Sequence, residues 1–213
     1  GILVYTIVLG GPCKYADVAC HPHFSIRTFL SSPLLQRAYE NNICDYLPVN
    51  FSEIPRWINE ENIDVALIQV SPPNESGFCN LGLSVDVVQT LIKEARIVIA
   101  EVNSNLPETA GETLVHVSNI SYFVPSDRPL LTIRNSQASE EDLEIGRYVA
   151  TLIPDYATIQ VGVGKIATGI VQSLHSKVGL GVHSGSLTDD IVDLIKVGVV
   201  TNERQEINRN RTV

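Results

Sequence analysis

Two short loops carry the residues of this chain best suited to chemistry. One is Gly162-Val-Gly164-Lys165; the other is His183-Ser184-Gly185, followed by Asp189-Asp190. Glycines just ahead of a helix let main-chain N–H groups approach a ligand, and the helix start adds partial positive charge. Such a turn suits a phosphate or an oxyanion that develops during a reaction. As a dinucleotide fingerprint it is incomplete: Gly-x-Gly-x-x-Gly needs a glycine at 167, where this chain has Ala167, a tolerated variant. Asp189 or Asp190 would then be the acidic residue about twenty positions on. A plain tight turn explains the same glycines. The paired aspartates also fit first-turn charges that complement a helix dipole, and His183 fits a packed, hydrogen-bonded histidine. No Gly-x-Ser-x-Gly elbow is present, which disfavours a serine hydrolase.

The elements that must position these loops read as strand, turn, helix, strand, helix between Thr158 and Asn202. That order places both loops at the carboxyl ends of parallel strands, where α/β proteins bind ligands. Upstream, residues 2–9 and the runs 64–70 (DVALIQV) and 96–102 (RIVIAEV) read as buried strands. Residues 33–41 suit a short helix and 45–51 a strand. Ser52 can cap a helix with Pro55 in its first turn. Residues 84–95 place Val85, Val88, Ile92 and Ala95 on one helical face. Residues 71–81 read as a loop. The pattern weakens from 103 to 137, apart from a short strand near 114–117. Ser139-x-x-Asp142 then opens a further helix as a capping box. The repeated strand–helix–strand order predicts an α/β fold of mostly parallel sheets with flanking helices. The domain boundary is expected near residues 125–138.

Composition narrows the function classes. The chain has 213 residues, 44% of them hydrophobic and 18% charged, enough for a large core and too apolar for disorder. A net charge of −9 argues against a nucleic-acid partner, which needs a clustered basic face. Arg204, Arg209 and Arg211 cluster near the end and read as a frayed polar tail. Cys13, Cys20, Cys44 and Cys79 form no C-x-x-C pair and read as reduced thiols of a cytoplasmic protein. His21-Pro-His23 beside Cys20 lacks a second ligand pair, so no metal site is expected. No run is long enough to span a bilayer, and residues 1–9 lack the basic lead and cleavage site of a signal peptide. There is no methionine at all, and the chain opens directly on a strand. A fragment, or a chain with residues missing, is therefore the expectation.

Several segments together resemble the acetyl-CoA hydrolase/transferase family, the class I CoA-transferases that include 4-hydroxybutyrate CoA-transferase. They are FSEIPRW (51–57), DVALIQVSPPNESGFCNLGLSVD (64–86), VIAEVNSNLPETAG (98–111), VHVSNI (115–120), IQVGVGKIA (159–167) and GVHSGSLTDDIVDLIKVGVVTN (181–202). The long SPPN…G…LG segment is far more specific than a lone glycine motif. The resemblance implies a class I CoA-transferase-like fold. Residues 1–130 would be an N-terminal α/β domain lacking its start, and 138–213 the beginning of a second. It implies ping-pong exchange of CoA between an acyl-CoA and a small carboxylic acid, with coenzyme A as substrate and no tightly bound cofactor. It also implies a homodimer or higher homo-oligomer, without nucleic acid or membrane.

In the family a glutamate attacks the thioester, giving an acyl-glutamyl anhydride and then a glutamyl-CoA thioester. Gly162 and Gly164 would offer main-chain donors to the tetrahedral intermediates. Lys165, His183, Ser184 and Gly185 would contact CoA or substrate. Relatives usually have proline where this chain has Ala167. Where many relatives read His-Ser-Glu or His-Thr-Glu, this chain reads His183-Ser184-Gly185, so the nucleophile is not carried over. Three readings follow: another carboxylate serves, the best candidate being Glu53; Asp189 activates water in a hydrolase; or the chain is a non-catalytic CoA-binding protein. Glu53 also fits a plain helix-terminal charge. In the first half, Asn74 and Gly77 lie in the expected substrate-side loop. Asn103, after the strand 96–102, is a candidate for holding carboxylate or pantetheine groups.

Overall fold

The computed structural model describes residues 1–7, 13–21, 23–132 and 137–213. Two compact units divide at residue 131: Gly1–Leu131 and Thr132–Val213. Part of the first expected strand (2–9) and part of the expected linker lie outside the described residues.

The first unit is built largely on two three-stranded parallel sheets. β1 (Ile2–Thr6), β2 (Phe24–Thr28) and β3 (Cys44–Tyr46) pair in that order. A short helix α1 (Gln36–Glu40) leads into β3, and α2 (Ile54–Glu60) follows it. Ile54, Ile58, Phe29 and Val87 form one apolar core, with Trp57 set edge-on against Tyr5 and Phe29. The second sheet has the order β4 (Val65–Val70), β6 (Ile97–Asn103), β8 (Tyr122–Ser126). Between them, β5 (Phe78–Asn80) pairs antiparallel with β7 (Leu114–His116), and α3 (Val88–Glu94) precedes β6.

Alternation along β4 shows how the core is made. Ala66, Ile68 and Val70 point inward with Val98 and Ala100 of β6 and Ile92 of α3, each buried valine or isoleucine side chain contributing roughly 1.5–3 kcal/mol. The opposite face is open in this unit, with Leu67 77% exposed. A strand expected to be buried on both faces is buried on one. Four other expectations shift. The loop 71–81 contains β5, and the weak stretch contains β8. The helix expected from 84 begins at Val88, although Val85 still packs against the same core. The strand expected over 45–51 is only Cys44–Tyr46.

The second unit begins with α4 (Glu140–Leu152), opened by the expected capping box: Asp142 N–H donates to Ser139 Oγ and Ser139 N–H to the Asp142 carboxylate. β9 (Thr158–Ile159) and β10 (Gly181–Val182) pair in parallel, with α5 (Lys165–Gln172) between them and α6 (Asp189–Lys196) after. Leu180 bridges to Val200 in parallel. Val171, Leu174, Leu180, Val182, Ile191 and Leu194 make the core. The tail is folded back rather than frayed. Asn202 receives Val182 N–H through Oδ1, Val213 N–H reaches Val182 O, and the Arg204 guanidinium stacks 3.5 Å from the Tyr156 ring centre. Among the described residues, no helix is long and apolar enough to cross a membrane.

Candidate functional site

In the second unit the two predicted loops meet. The strands β9 and β10 end side by side, and Ser184 joins them: its hydroxyl donates to Val161 O at 2.9 Å and accepts from Val161 N–H at 3.2 Å. His183 N–H donates to Ile159 O at 3.0 Å. Ser184 is therefore a structural clasp between the two loops. Gly164, at φ 121, occupies the N-cap position of α5, a conformation that favours glycine. The helix starts at Lys165, directly after the second glycine, and its first internal bond is Thr168 N–H to Gly164 O. The N–H groups ahead of Thr168 are the unsatisfied donors of a helix start. Gly162, Gly164, Lys165, His183 and Gly185 are all exposed, and Val163 between the glycines is 80% exposed. Gly185 lies outside the left-handed region, and a Cβ built on it meets nothing within 4 Å. Neither backbone nor packing demands glycine there. Asp190 accepts from Gln172 Nε2 at 3.0 Å, and Asp189 opens α6.

The other predicted residues belong to the first unit. Glu53 ends a 3-10 turn, Phe51–Glu53, and stands at the N-cap position of α2 without a side-chain cap bond. Ser52 lies inside that turn and does not cap the helix. The Glu53 carboxylate is exposed, with Asn50 Nδ2 at 3.5 Å. Asn74 Oδ1 accepts from Ser76 N–H at 3.0 Å and from Phe78 N–H at 2.9 Å, so its acceptor is already engaged in the turn into β5. Gly77, at φ 78, makes the reversal. Asn103 is 1% exposed; its amide donates to Arg128 O at 3.0 Å and its Oδ1 accepts from Asn105 N–H.

Sequence reading passed over two polar groups of the first unit. Asn80 is buried and bridges loops: Nδ2 donates to Thr109 O and Thr113 Oγ1, and Oδ1 accepts from Gly82 and Thr109 N–H. Glu101, on β6, accepts from Arg128 Nη2 at 2.9 Å. The Ser126 hydroxyl foremost, with Arg128 and Gln69, holds the Glu101 carboxyl below its usual range against the opposing effect of burial. A charged residue inside the apolar run RIVIAEV was the signal available for Glu101. Burial pushes the Cys44 and Cys79 thiols up, which keeps them protonated and unreactive.

With this geometry in place, comparison with known proteins decides the family. Residues 14–133 match the acetyl-CoA hydrolase/transferase N-terminal domain. The chain belongs to the acetyl-CoA hydrolase/transferase family. A 4-hydroxybutyrate coenzyme A transferase of Clostridium kluyveri is 34% identical over 215 residues, covering 100% of this chain and 50% of that protein. A succinyl-CoA:acetate/propanoyl-CoA:succinate CoA transferase of Fasciola hepatica is 33% identical, covering 100% and 45%. The crystal structure of RipA from Yersinia pestis superposes with TM-score 0.91 at 29% identity, covering 99% of this chain and 51% of that one. A 4-hydroxybutyrate CoA-transferase from Porphyromonas gingivalis gives TM-score 0.78 at 26% identity, covering 99% and 56%. This family member spans about half the length of the curated relatives it matches. Its fold is the mixed α/β fold expected from the strand–helix order, and it is CoA-transferase-like, as the family resemblance implied.

Proposed function

We propose that this chain serves a CoA-transferase that moves CoA between an acyl-CoA and a small carboxylic acid. The observation that carries the reading is the Ser184 clasp. It sets the exposed amides of the Gly162–Lys165 turn beside His183 and Gly185, at the carboxyl ends of parallel strands in a family whose named relatives are CoA-transferases. A carboxylate oxygen attacks the thioester carbon and CoA leaves as thiolate, giving an anhydride. The thiolate then attacks the enzyme carbonyl of that anhydride, releasing the first acid and leaving an enzyme–CoA thioester. The acceptor carboxylate reverses both steps. Each tetrahedral oxyanion would be met by the turn's N–H groups, one such donor typically contributing about 3–4 kcal/mol.

Glu53 is the proposed carboxylate, Gly162 and Gly164 the proposed oxyanion donors, and Lys165, His183 and Ser184 the proposed CoA contacts. The domain assignment of residues 1–130 and 138–213, a homo-oligomeric assembly and a cytoplasmic setting belong to the same proposal. Borohydride reduction after incubation with acyl-CoA reads out the thioester as a mass change at one glutamate. Glu53→Gln removes exchange if Glu53 is the nucleophile; full exchange in that variant eliminates it.

The open space and ordinary backbone at Gly185 favour a second reading, in which this chain binds CoA without turning it over. Its test is Gly185→Glu. Under that reading the unaltered protein binds CoA without exchange, and Gly185→Glu gains exchange. An active unaltered protein abolished by Glu53→Gln supports the first reading.

A further inference from the structure

We propose that Arg128, held by Glu101 and by Asn103 and Asn105, is an oxyanion-binding group at the carboxyl end of the β4–β6–β8 sheet. An exposed arginine paired with a carboxylate is ordinarily a surface ion pair worth little. Arg128 differs because both ends of it are fixed. Its main chain is pinned by two asparagines. Asn103 Nδ2, in a side chain 1% exposed, donates to Arg128 O at 3.0 Å. Asn105 Nδ2 donates to Asp127 O at 2.8 Å and to Arg128 O at 3.3 Å. Arg128 N–H also reaches Ser126 Oγ at 3.4 Å. At the other end, Nη2 donates to Glu101 Oε1 at 2.9 Å. The Glu101 side chain is only 27% exposed and also meets the Ser126 hydroxyl and Gln69, so the clamp is itself clamped.

A guanidinium carries five N–H donors in a rigid fork. Glu101 engages Nη2, and the Arg128 side chain remains 77% exposed. The donors it presents to solvent are aimed by the surrounding bonds rather than left to a mobile chain. The register places this group correctly for a ligand. Glu101 pairs with Gln69 of β4 and Val124 of β8, and Ser126 lies opposite Asn103 at the last rung, so Arg128 stands just beyond the ends of three parallel strands. That is where open α/β sheets take ligands. The matching chemistry is a planar or tetrahedral oxyanion that accepts two parallel N–H bonds. Under the proposed function two sources supply it: the carboxylate of an acid substrate, or a phosphate of CoA. Only the choice of source rests on that function; anion binding at Arg128 does not.

The test therefore reads binding, not turnover. Titration of the full chain with inorganic phosphate or acetate, followed by the 1H–15N Nε–Hε resonance of Arg128, should give a saturating shift. In Arg128→Ala the affinity for the responsible anion should fall at least tenfold while the chain stays folded, the loss of the Glu101 pair lowering the melting temperature by only a few degrees. Arg128→Lys should recover only part of it, because a point charge lacks the fork. Glu101→Gln should weaken binding severalfold by releasing the clamp. If acetate and propionate binding is lost while CoA binding is retained, the source is a carboxylate. If CoA falls to the affinity of dephospho-CoA or pantetheine while acetate is unaffected, it is a phosphate. An Arg128 resonance indifferent to every anion, with unchanged affinities in Arg128→Ala, overturns the proposal. Loss of exchange chemistry with the phosphate response intact would sink the proposed function and leave this inference standing.

Discussion

Gly146 of α4 and Gly169 of α5 lie against one another so closely that neither position has room for a side chain. A Cβ built on Gly146 would strike the Gly169 carbonyl, and one on Gly169 would strike the Asp142 carbonyl. The two helices thus pack backbone to backbone, which ties the N-terminal turn of α4 to the helix that carries the glycine turn.

Gly146→Ala should consequently destabilise the protein by about 2–3 kcal/mol, since overpacking here meets backbone rather than a movable side chain. Alanine elsewhere in an exposed helix would be neutral or favourable. Denaturant unfolding measures the difference. A loss below about 0.5 kcal/mol would show that the helices separate easily.

Asn80→Ala should cost about 3 kcal/mol. The amide of Asn80 satisfies Gly82 N–H and Thr109 N–H and also serves Thr113, so removing it strands buried donors. Asn80→Asp should be no better, because a carboxylate cannot donate to Thr109 O. Thermal melts of both variants check this.

Glu101 links stability to pH. Its folded-state pKa lies below the ordinary value of 4.5, so the folded state prefers the ionised form. That contribution is fully present above pH 4.5 and is lost as pH falls through the depressed value. Glu101→Gln should be less stable than the unaltered protein near neutrality by roughly 1–2 kcal/mol. The two stability curves should converge on acidification below pH 4.5. A gap that stays constant down to strongly acid pH would contradict the assignment.

The thiols should separate by reactivity. Cys44 and Cys79 are buried with raised pKa values, whereas Cys20 is half-exposed and donates to Lys14 O at 3.3 Å. Iodoacetamide at neutral pH should label Cys20 at least tenfold faster than Cys44 or Cys79, as read by peptide mass mapping.

Local patterns were legible wherever one interaction range sufficed. The Ser139–Asp142 capping box, the parallel β9–β10 pair and the loop partners Gly162–Lys165 and His183–Gly185 follow from spacing alone, because caps and periodicity act over a few residues. The apolar face of α4 did not. Ile145, Tyr148 and Leu152, which look like core, are 42%, 68% and 81% exposed, while Gly146 and Ala150 are buried. Hydrophobicity marks what a helix can bury; closeness of approach to α5 decided what it does bury, and only small residues fit.

The order of residues along the chain determined the α/β class and the glycine turn, since these depend on local conformation, and its motifs carried the resemblance to the family. Which polar groups act together was settled by tertiary structure. Asn80 with Thr109, Ser184 with Val161, and Glu101 with Arg128 are 29, 23 and 27 residues apart, and each bond exists only because the strands of its own unit bring distant loops together. A hydrogen bond needs its partners within about 3 Å, and no pattern along a sequence carries that distance.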